Sequence, residues 1–411
     1  MTNEAAAIQV EWSAGVLSDI VDVNPDKASA ISNLKHFRYV DISCLSEDGL
    51  RPAIDIPEVS KDDAPSRAQR LLRTGDSLVG TVRPERRARG CVPDELDGEV
   101  ASSGICVLRP KTASDSRFVY AVIQSDDFTE WCVARETGTS YPSVSSADIA
   151  SFPLLLPPEE ERTRIGEVLA AIDAKFEMCQ TVKRTVMDEA GALVASLANS
   201  ETARSVRVGE VIERLDKGVS YKGSGLTDSG TWLVNLANFT PRGEFNQDGL
   251  KFYSGATRPQ HLVQEGDLVV ANTDLTQDRV ILGQPAIIPP GSHTAAITHH
   301  VYAARFKPAM EAYRLPIYFA LREQEFRDRV YNHGTGTTVS GLSRDSILDH
   351  VVLLPVEGIE ALANHLAERM SLIWALEAEA RSLSELKKFL LPRLLSGELQ
   401  VREETPVEEA S

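Results

Sequence analysis

The chain has 411 residues, enough for roughly two to four domains, and its formal net charge of −17 argues against a lone nonspecific nucleic-acid binder, which would be basic. Apolar residues make up 42% of the chain, without a run long enough for a membrane span and without a signal peptide, so we expect a cytoplasmic location. The five cysteines form no CxxC pair, which argues against a disulfide framework and a zinc site.

The first part of the chain alternates short apolar runs with turns, as α/β domains do. Strands are predicted where apolar residues alternate or run between turn residues, at 37–42, 78–82, 103–110 and 153–156. A helix is predicted at 118–132, and a polar loop follows it at 137–146.

A long helix is predicted directly after this segment, over residues 158–198. Apolar residues recur there in steps of three and four, the ~3.5-residue period of a coiled-coil seam, and Lys183 fills the one missing place in the ladder. Pro157 and Pro158 suit a helix start, and the glutamates that follow lie where the helix dipole favours anions. The seam residues are Ile165, Leu169, Ile172, Phe176 and Leu193.

The second half of the chain repeats the first at an offset of 198 residues. The matched positions are Tyr120 with Tyr318, Thr137-Gly138-Thr139 with Thr335-Gly336-Thr337, and Pro157 with Pro355. The heptad ladder recurs at an offset of 197 residues, with seam residues Leu362, Leu366, Ile373, Leu376 and Leu383. Such agreement of turns, strands and helices at one offset indicates a tandem repeat of an α/β domain followed by a long helix.

These patterns predict an α/β (α+β) fold with two domains in tandem, joined by two long helices that form an antiparallel coiled coil. The predicted domains span 1–157 and 199–355, and the predicted helices span 158–198 and 356–397. The acidic end, 398–411, is predicted to be a disordered tail.

Sequence motifs for catalysis are absent from the chain. It contains no GxxxxGK[ST] motif for ATP, no GxGxxG after a strand, no GxSxG and no HExxH. His299-His300 has no cysteine or carboxylate at metal-ligand spacing, so a polar pair beside a strand is the favoured interpretation. We therefore expect a chain that has no catalytic residues and binds no metal or cofactor by itself.

Two junctions and the end of the second helix resemble one protein family. The stretches Gly138-Thr139-Ser140-Tyr141-Pro142-Ser143-Val144-Ser145 and Leu154-Leu155-Leu156-Pro157-Pro158-Glu159-Glu160-Glu161-Arg162 resemble the junction of a target-recognition domain and a spacer helix in type I restriction–modification specificity subunits (HsdS). Leu390-Leu391-Pro392-Arg393-Leu394-Leu395-Ser396-Gly397 resembles the ending of that family's second spacer helix.

This resemblance implies a non-catalytic subunit of a host-defence complex. Each domain would read one half of a bipartite, asymmetric DNA target, and the helices would act as a ruler between the halves. The implied partners are double-stranded DNA, modification methyltransferase subunits, with two expected, and restriction motor-nuclease subunits. The resemblance places S-adenosylmethionine, ATP and Mg on those partners. The complex would be an adenine-specific methyltransferase and a site-specific deoxyribonuclease.

Candidate DNA contacts are polar or basic residues in the loops, because base edges are read by polar side chains and phosphates by cations. In the first domain they are Arg83, Arg86, Arg87, Arg89, Thr139, Ser140, Tyr141 and Ser143; in the second they are Lys222, Asn272, Thr273, Thr337, Thr338, Ser340 and Arg344. The arginine cluster is equally typical of a solvated loop. The polar stretch Thr335–Ser340 is also compatible with a simple turn, which is the less favoured interpretation.

A second hypothesis is a coiled-coil scaffold with two protein-binding domains and no DNA contact. The acidic charge favours the scaffold, whereas the junction motifs and the arginine-rich loop favour DNA recognition.

Overall fold

The computed structural model describes residues 12–26, 35–47, 49–201, 203–221, 225–276, 278–291, 294–334, 340–355 and 357–401. Its contacts divide the chain into two compact units, Met1–Glu177 with Ala380–Ser411, and Met178–Glu379. Each unit therefore combines one α/β domain with a part of each long helix.

The first unit is built from short strands and three short helices that precede the first long helix. The strands are β1 (Ser13–Val16), β2 (Val21–Val23), β3 (His36–Val40), β4 (Leu45–Ser46), β5 (Gly49–Leu50), β6 (Glu58–Ser60), β7 (Ala68–Leu71), β8 (Ser77–Gly80), β9 (Arg89–Cys91), β10 (Val100–Ser102), β11 (Ile105–Pro110) and β12 (Pro153–Leu156). The helices are α1 (Ser116–Gln124), α2 (Asp126–Val133), α3 (Ser146–Ala150) and α4 (Glu159–Ala198).

The strands of the first unit form a six-stranded sheet in the order β2-β11-β8-β9-β4-β5 and a four-stranded sheet in the order β6-β3-β10-β7. Strand β11 is buried on both faces, so its residues alternate between two cores. Cys106 and Leu108 face the core that α1, α2 and the long helices cover, whereas Ile105 and Val107 face the other core. Strands β1 and β12 pair antiparallel beside the start of α4.

The second unit repeats this plan. Its strands are β13 (Ala203–Arg207), β14 (Ile212–Lys217), β15 (Leu226–Thr227), β16 (Thr231–Val234), β17 (Lys251–Tyr253), β18 (Leu262–Val263), β19 (Leu268–Ala271), β20 (Thr273–Asp274), β21 (Pro285–Ile287), β22 (Ala295–Ile297), β23 (Val301–Phe306), β24 (Ser340–Gly341) and β25 (Val351–Pro355). Its helices are α5 (Val208–Val211), α6 (Arg314–Ala320), α7 (Gln324–His333), α8 (Arg344–Leu348) and α9 (Ile359–Leu395).

The pairing of strands in the second unit matches that in the first. The order β14-β23-β19 corresponds to β2-β11-β8, the parallel pair β16-β22 corresponds to β3-β10, and the antiparallel pair β13-β25 corresponds to β1-β12. The predicted tandem α/β fold with two long helices is confirmed.

The predicted single helix at 118–132 is wrong in one respect, because the structure divides it into α1 and α2. Ser125 has an extended backbone, and its hydroxyl accepts a hydrogen bond from the Phe128 amide at 3.2 Å. A serine in this position caps a new helix instead of continuing the old one. The second domain has the same division, between α6 and α7.

The long helices pair antiparallel within each unit. In the first unit Ile165 and Leu169 of α4 share a core with Leu391 and Leu394 near the end of α9. In the second unit Val194, near the end of α4, shares a core with residues from the start of α9. Those α9 residues are Leu362, Leu366, Met370 and Ile373.

The predicted seam residues are all buried or half-buried. Ile165, Leu169, Leu362, Leu366 and Ile373 are buried, and Ile172, Phe176, Leu193, Leu376 and Leu383 are half-buried. The predicted seam did not include Met187 and Val194, and both are more deeply buried than the predicted Leu193. The helix packs on the domain core as well as on α9, so its buried stripe is wider than a coiled-coil seam.

Among the residues that the structure describes, no helix is both long and apolar enough to cross a membrane. In the same part of the chain, no group of three His, Cys, Asp or Glu side chains is arranged to hold a metal ion.

Candidate nucleic-acid interface

Three loop segments of the first domain are joined by main-chain hydrogen bonds. The Thr81 amide donates to the Gly104 carbonyl at 2.9 Å, and the Val144 amide donates to the Thr81 carbonyl at 2.9 Å. The Arg83 amide donates to the Pro142 carbonyl at 2.8 Å. These bonds fix the arginine loop (residues 83–89) beside the polar loop (residues 137–143).

The polar loop is a small hairpin whose tip is open to solvent. Thr137 and Ser143 exchange two main-chain hydrogen bonds of 2.9 and 3.0 Å, so Ser143 lies at the base of the hairpin and is half-buried. Gly138 has a φ of +93°, a conformation that favours glycine. The tip residues Thr139, Ser140 and Tyr141 are exposed, and Tyr141 keeps 74% of its surface accessible. The tip can therefore contact a ligand without rearrangement.

The arginine loop begins with a left-handed residue and contains a second one, with a φ of 53° at Arg83 and 52° at Arg87. Arg86 lies between them and is exposed. The Arg83 guanidinium lies over the Tyr141 ring, 5.8 Å from its centroid. The two loops therefore meet through side chains as well as through main-chain bonds.

The other two arginines of this loop are bound by side chains of the protein. Arg87 is paired with Asp126 of α2 and with Glu47. Arg89 is only 4% exposed and donates a hydrogen bond to the Thr129 hydroxyl. Burial, together with the neighbouring charge of Arg87, lowers the pKa of Arg89 to about 10. Arg89 holds the loop against α2 and is not placed to contact DNA, so we do not retain it as a candidate contact.

The same assembly of segments occurs in the second domain. The Asn272 amide donates to the His300 carbonyl at 2.9 Å, and the Leu342 amide donates to the Asn272 carbonyl at 2.8 Å. Strands β20 and β24 extend this contact, with Thr273 opposite Gly341. Asn272 and Leu342 therefore have the positions that Thr81 and Val144 have in the first domain.

Two of the predicted contacts in this domain are buried. Asn272 is 2% exposed and its side-chain amide donates to the His299 carbonyl. Ser340 is 4% exposed and accepts a hydrogen bond from Arg279. Both residues support the loop and are not placed to contact DNA. Thr273 is half-buried, with its hydroxyl 2.7 Å from Nδ1 of His300.

The remaining candidates of the second domain lie elsewhere or outside the described residues. Arg344, at the start of α8, is exposed and donates to the Leu215 carbonyl of β14, and its guanidinium lies over the Tyr302 ring. Lys222, Thr337 and Thr338 lie outside the described residues.

The sequence prediction missed Arg279 and Tyr331, which the structure places beside β24. Arg279 has a φ of 52°, and its guanidinium lies 5.4 Å from the centroid of the exposed Tyr331 ring. A signal was present in the sequence, because Arg279 falls in the polar turn after β20, where the first domain has its arginine loop.

Comparison with known proteins points to one family. The specificity subunit of the type I restriction enzyme HindI from Haemophilus influenzae is 25% identical over 137 residues, which are 33% of this chain and 30% of that protein. The matched stretch thus spans about a third of the relative's length. The S subunit of a type I restriction–modification system from M. genitalium has a TM-score of 0.58 at 12% identity, covering 95% of this chain and 97% of that chain.

The chain resembles a type I specificity subunit. The HsdS subunit from Thermoanaerobacter tengcongensis has a TM-score of 0.39 at 21% identity, covering 97% of this chain and all of that one. No protein-family model matches the chain. The likeness to the M. genitalium subunit is one of fold, and it extends over both domains and both long helices.

Proposed function

We propose that this chain is the DNA sequence-specificity subunit of a type I restriction–modification complex and reads a bipartite, asymmetric target. The observation that carries this proposal is the loop assembly that both domains repeat. In each domain one residue, Thr81 or Asn272, joins the same three segments through two main-chain hydrogen bonds. A repeated scaffold with different side chains suits two domains that read different sequences.

The net charge of the chain limits the affinity of the isolated subunit for DNA. Phosphate contacts supply most of the affinity for DNA, and a chain with a net charge of −17 supplies few of them. In this proposal the chain provides selective contacts, and basic partner subunits provide the greater part of the phosphate contacts.

The partners follow from this division of roles. The proposed complex contains two modification methyltransferase subunits, one for each half-site, and restriction motor-nuclease subunits. S-adenosylmethionine, ATP and Mg bind to those partners, and the chain itself performs no catalysis. The chain positions these subunits on DNA in the cytoplasm.

The long helices are proposed to set the distance between the half-sites. The support is that α4 has 40 residues and α9 has 37, and that each unit contains a part of both. At ~1.5 Å per residue such a helix is ~60 Å long, a length on the scale of a DNA target of more than one helical turn.

The test is an exchange of domains followed by methylation sequencing of host DNA. Residues 1–157 are replaced by the corresponding domain of a relative, and in a second variant residues 199–355 are replaced. We expect each exchange to change a different half of the methylated motif and to leave the other half unchanged. If deletion of the chain leaves the methylation pattern intact, the scaffold hypothesis is favoured and the proposal fails.

A further inference from the structure

An exposed tyrosine lies against an arginine in each domain, next to the repeated loop assembly. In the first unit the Arg83 guanidinium is 5.8 Å from the centroid of the Tyr141 ring, and in the second unit that of Arg279 is 5.4 Å from the Tyr331 ring. The tyrosines keep 74% and 64% of their surface exposed. A large aromatic ring that stays exposed forgoes the stabilisation that burial would give, so its contacts indicate its role.

Both arginines have a left-handed backbone that the surrounding structure holds in place. Their φ angles are 53° and 52°, which is uncommon for a residue with a side chain. Arg83 starts a tight turn that the Arg86 amide closes by donating to the Arg83 carbonyl at 2.9 Å. The turn at Arg279 is held by Arg327 of α7, whose guanidinium donates to the Leu282 carbonyl at 2.6 Å and the Arg279 carbonyl at 3.3 Å. Residues held in such conformations cluster at functional sites.

The charge of each arginine is not neutralised by a carboxylate among the described residues. The donors of Arg279 go to neutral acceptors, the Ser340 hydroxyl at 3.1 Å and the Tyr331 carbonyl at 2.6 Å. The Arg83 guanidinium has its ring contact and no ion pair within the described part of the chain. By contrast, Arg87 and Arg305 are each paired with two carboxylates.

The two pairs are not repeat equivalents, which argues against simple inheritance from a common ancestor. Tyr141 lies in the polar loop, whereas Tyr331 lies in α7. At the repeat offset of 198 residues Tyr331 corresponds to Val133 of α2. The two domains therefore arrive at the same arrangement from different positions, as expected if the arrangement itself is what each domain needs.

We propose that Arg83–Tyr141 and Arg279–Tyr331 are matched DNA contacts, one in each half-site. This inference rests on the proposed function. The ring covers one face of each guanidinium. In Arg279 the Nε and Nη1 atoms already donate to Ser340 and Tyr331, which leaves Nη2 for an outside acceptor. In Arg83 the guanidinium donates no hydrogen bond within the described residues, so its planar edge is free for two acceptors. In DNA such paired acceptors are the O6 and N7 atoms of guanine or the oxygens of a phosphate group. The contact with the tyrosine already restricts the arginine side chain, so the arginine loses less rotamer freedom when it binds DNA.

The test measures binding of the full chain, assembled with its methyltransferase subunits, to a fluorescent duplex that carries the motif found by methylation sequencing. The variants are Arg83→Ala, Arg279→Ala and Tyr331→Ala, with Tyr331→Phe to retain the ring. Arg242→Ala is the matched control, because it removes the same charge from the second unit and Arg242 is already paired with Asp188 at 3.1 Å. Thermal unfolding of each variant confirms that it is folded.

We expect Arg279→Ala and Tyr331→Ala to weaken recognition of one half-site, Arg83→Ala to weaken recognition of the other, and Tyr331→Phe and Arg242→Ala to bind like the wild type. A guanine contact gives a loss of about 5- to 150-fold confined to one base position. A phosphate contact gives a uniform loss and lowers the slope of log K against log salt by about one unit.

Two results would overturn the inference, and they differ in what else they affect. If the wild-type complex is selective and folded Arg83→Ala, Arg279→Ala and Tyr331→Ala variants bind like the Arg242→Ala control, the pairs are not DNA contacts but the proposed function stands. If the wild-type complex does not prefer its motif over a scrambled duplex, both proposals fail.

Discussion

Replacing Lys183 by Met should destabilise the second unit strongly, because this lysine links α4, α9 and a loop of the domain. Its ammonium lies 2.9 Å from Glu244 and 3.3 Å from Glu377, and the three side chains are 13–17% exposed. Lys183 is also the residue that interrupts the apolar ladder of α4. A polar residue at one seam position fixes the register of paired helices at the expense of stability.

The size of the effect follows from the opposing contributions. With an effective dielectric constant of ~20, attractions at these two distances amount to about 6 and about 5 kcal/mol. Removing each ion from water costs several kcal/mol, so the intact triad contributes little net stability. Lys183→Met removes the ammonium from between two mostly buried carboxylates, and such a loss costs ~3–5 kcal/mol. Replacing all three residues by Met should restore most of the stability.

The assay is urea unfolding followed by tryptophan fluorescence. Trp12 and Trp131 lie in the first unit and Trp232 and Trp374 in the second, so Phe at the first two positions makes the signal specific to the second unit. Arg242→Met is the control, because the exposed Arg242–Asp188 pair links the same loop to the same helix and is worth ~0–1 kcal/mol. Equal stability of Lys183→Met and this control would refute the reasoning.

The pH dependence provides a second check on the triad. Burial alone would lower the pKa of Lys183, but the charges and hydrogen bonds of Glu244 and Glu377 outweigh it, so the pKa is raised. A raised pKa in the folded state means that the contribution is complete below the unfolded value of ~10.4 and is lost as pH rises through the folded value. The gap in stability between wild type and Lys183→Met should therefore shrink only in strong alkali.

Three further predictions concern single side chains. Leu169→Ala should cost the first unit ~2–5 kcal/mol and Ile172→Ala less, measured by Trp131 fluorescence, because Leu169 is 1% exposed and Ile172 is half-buried. Arg89→Met should alter the thermal stability of the first unit and leave its DNA affinity unchanged, whereas Arg83→Met should weaken DNA binding and leave the thermal stability unchanged. Burial lowers the pKa of His350, so stability of the second unit should fall as pH drops below ~6.5, and His350→Phe should reduce that fall.

The parts of the fold that the sequence predicted are those that local patterns encode. The heptads and the 198-residue repeat predicted the long helices and the tandem domains, because a heptad period and a repeat offset are recognisable without knowledge of the tertiary contacts. The break at Ser125 was missed, because a capping serine resembles any polar residue on a helix surface. The deep burial of the Met187 side chain was not predicted, because it depends on how α4 packs on the domain core.

The candidate interface was only partly predictable, because its chemistry depends on residues far apart in the chain. Arginines in a polar loop look alike in sequence, but Arg87 and Arg89 are bound by α2, about 40 residues away, whereas Arg86 remains exposed. The pairing of Arg279 with Tyr331 spans 52 residues. Loop composition can indicate which residue types are present, but only the fold determines which of them reach solvent.

The end of the chain should be more important for the first unit than for the second. The first unit includes Ala380–Ser411, and its core takes Leu391 and Leu394 from α9, which are 8% and 3% exposed. At ~1.5–3 kcal/mol for each side chain, their loss removes ~3–6 kcal/mol, which approaches the total stability of many domains. Ending the chain after Glu379 should therefore unfold the first unit, seen in the Trp131 signal, while Trp232 and Trp374 report a folded second unit. Ending it after Gly397 keeps both leucines and should leave Trp131 unchanged. The opposite pattern, with the second unit lost and the first intact, would show that α9 is not shared between the units as the core contacts require.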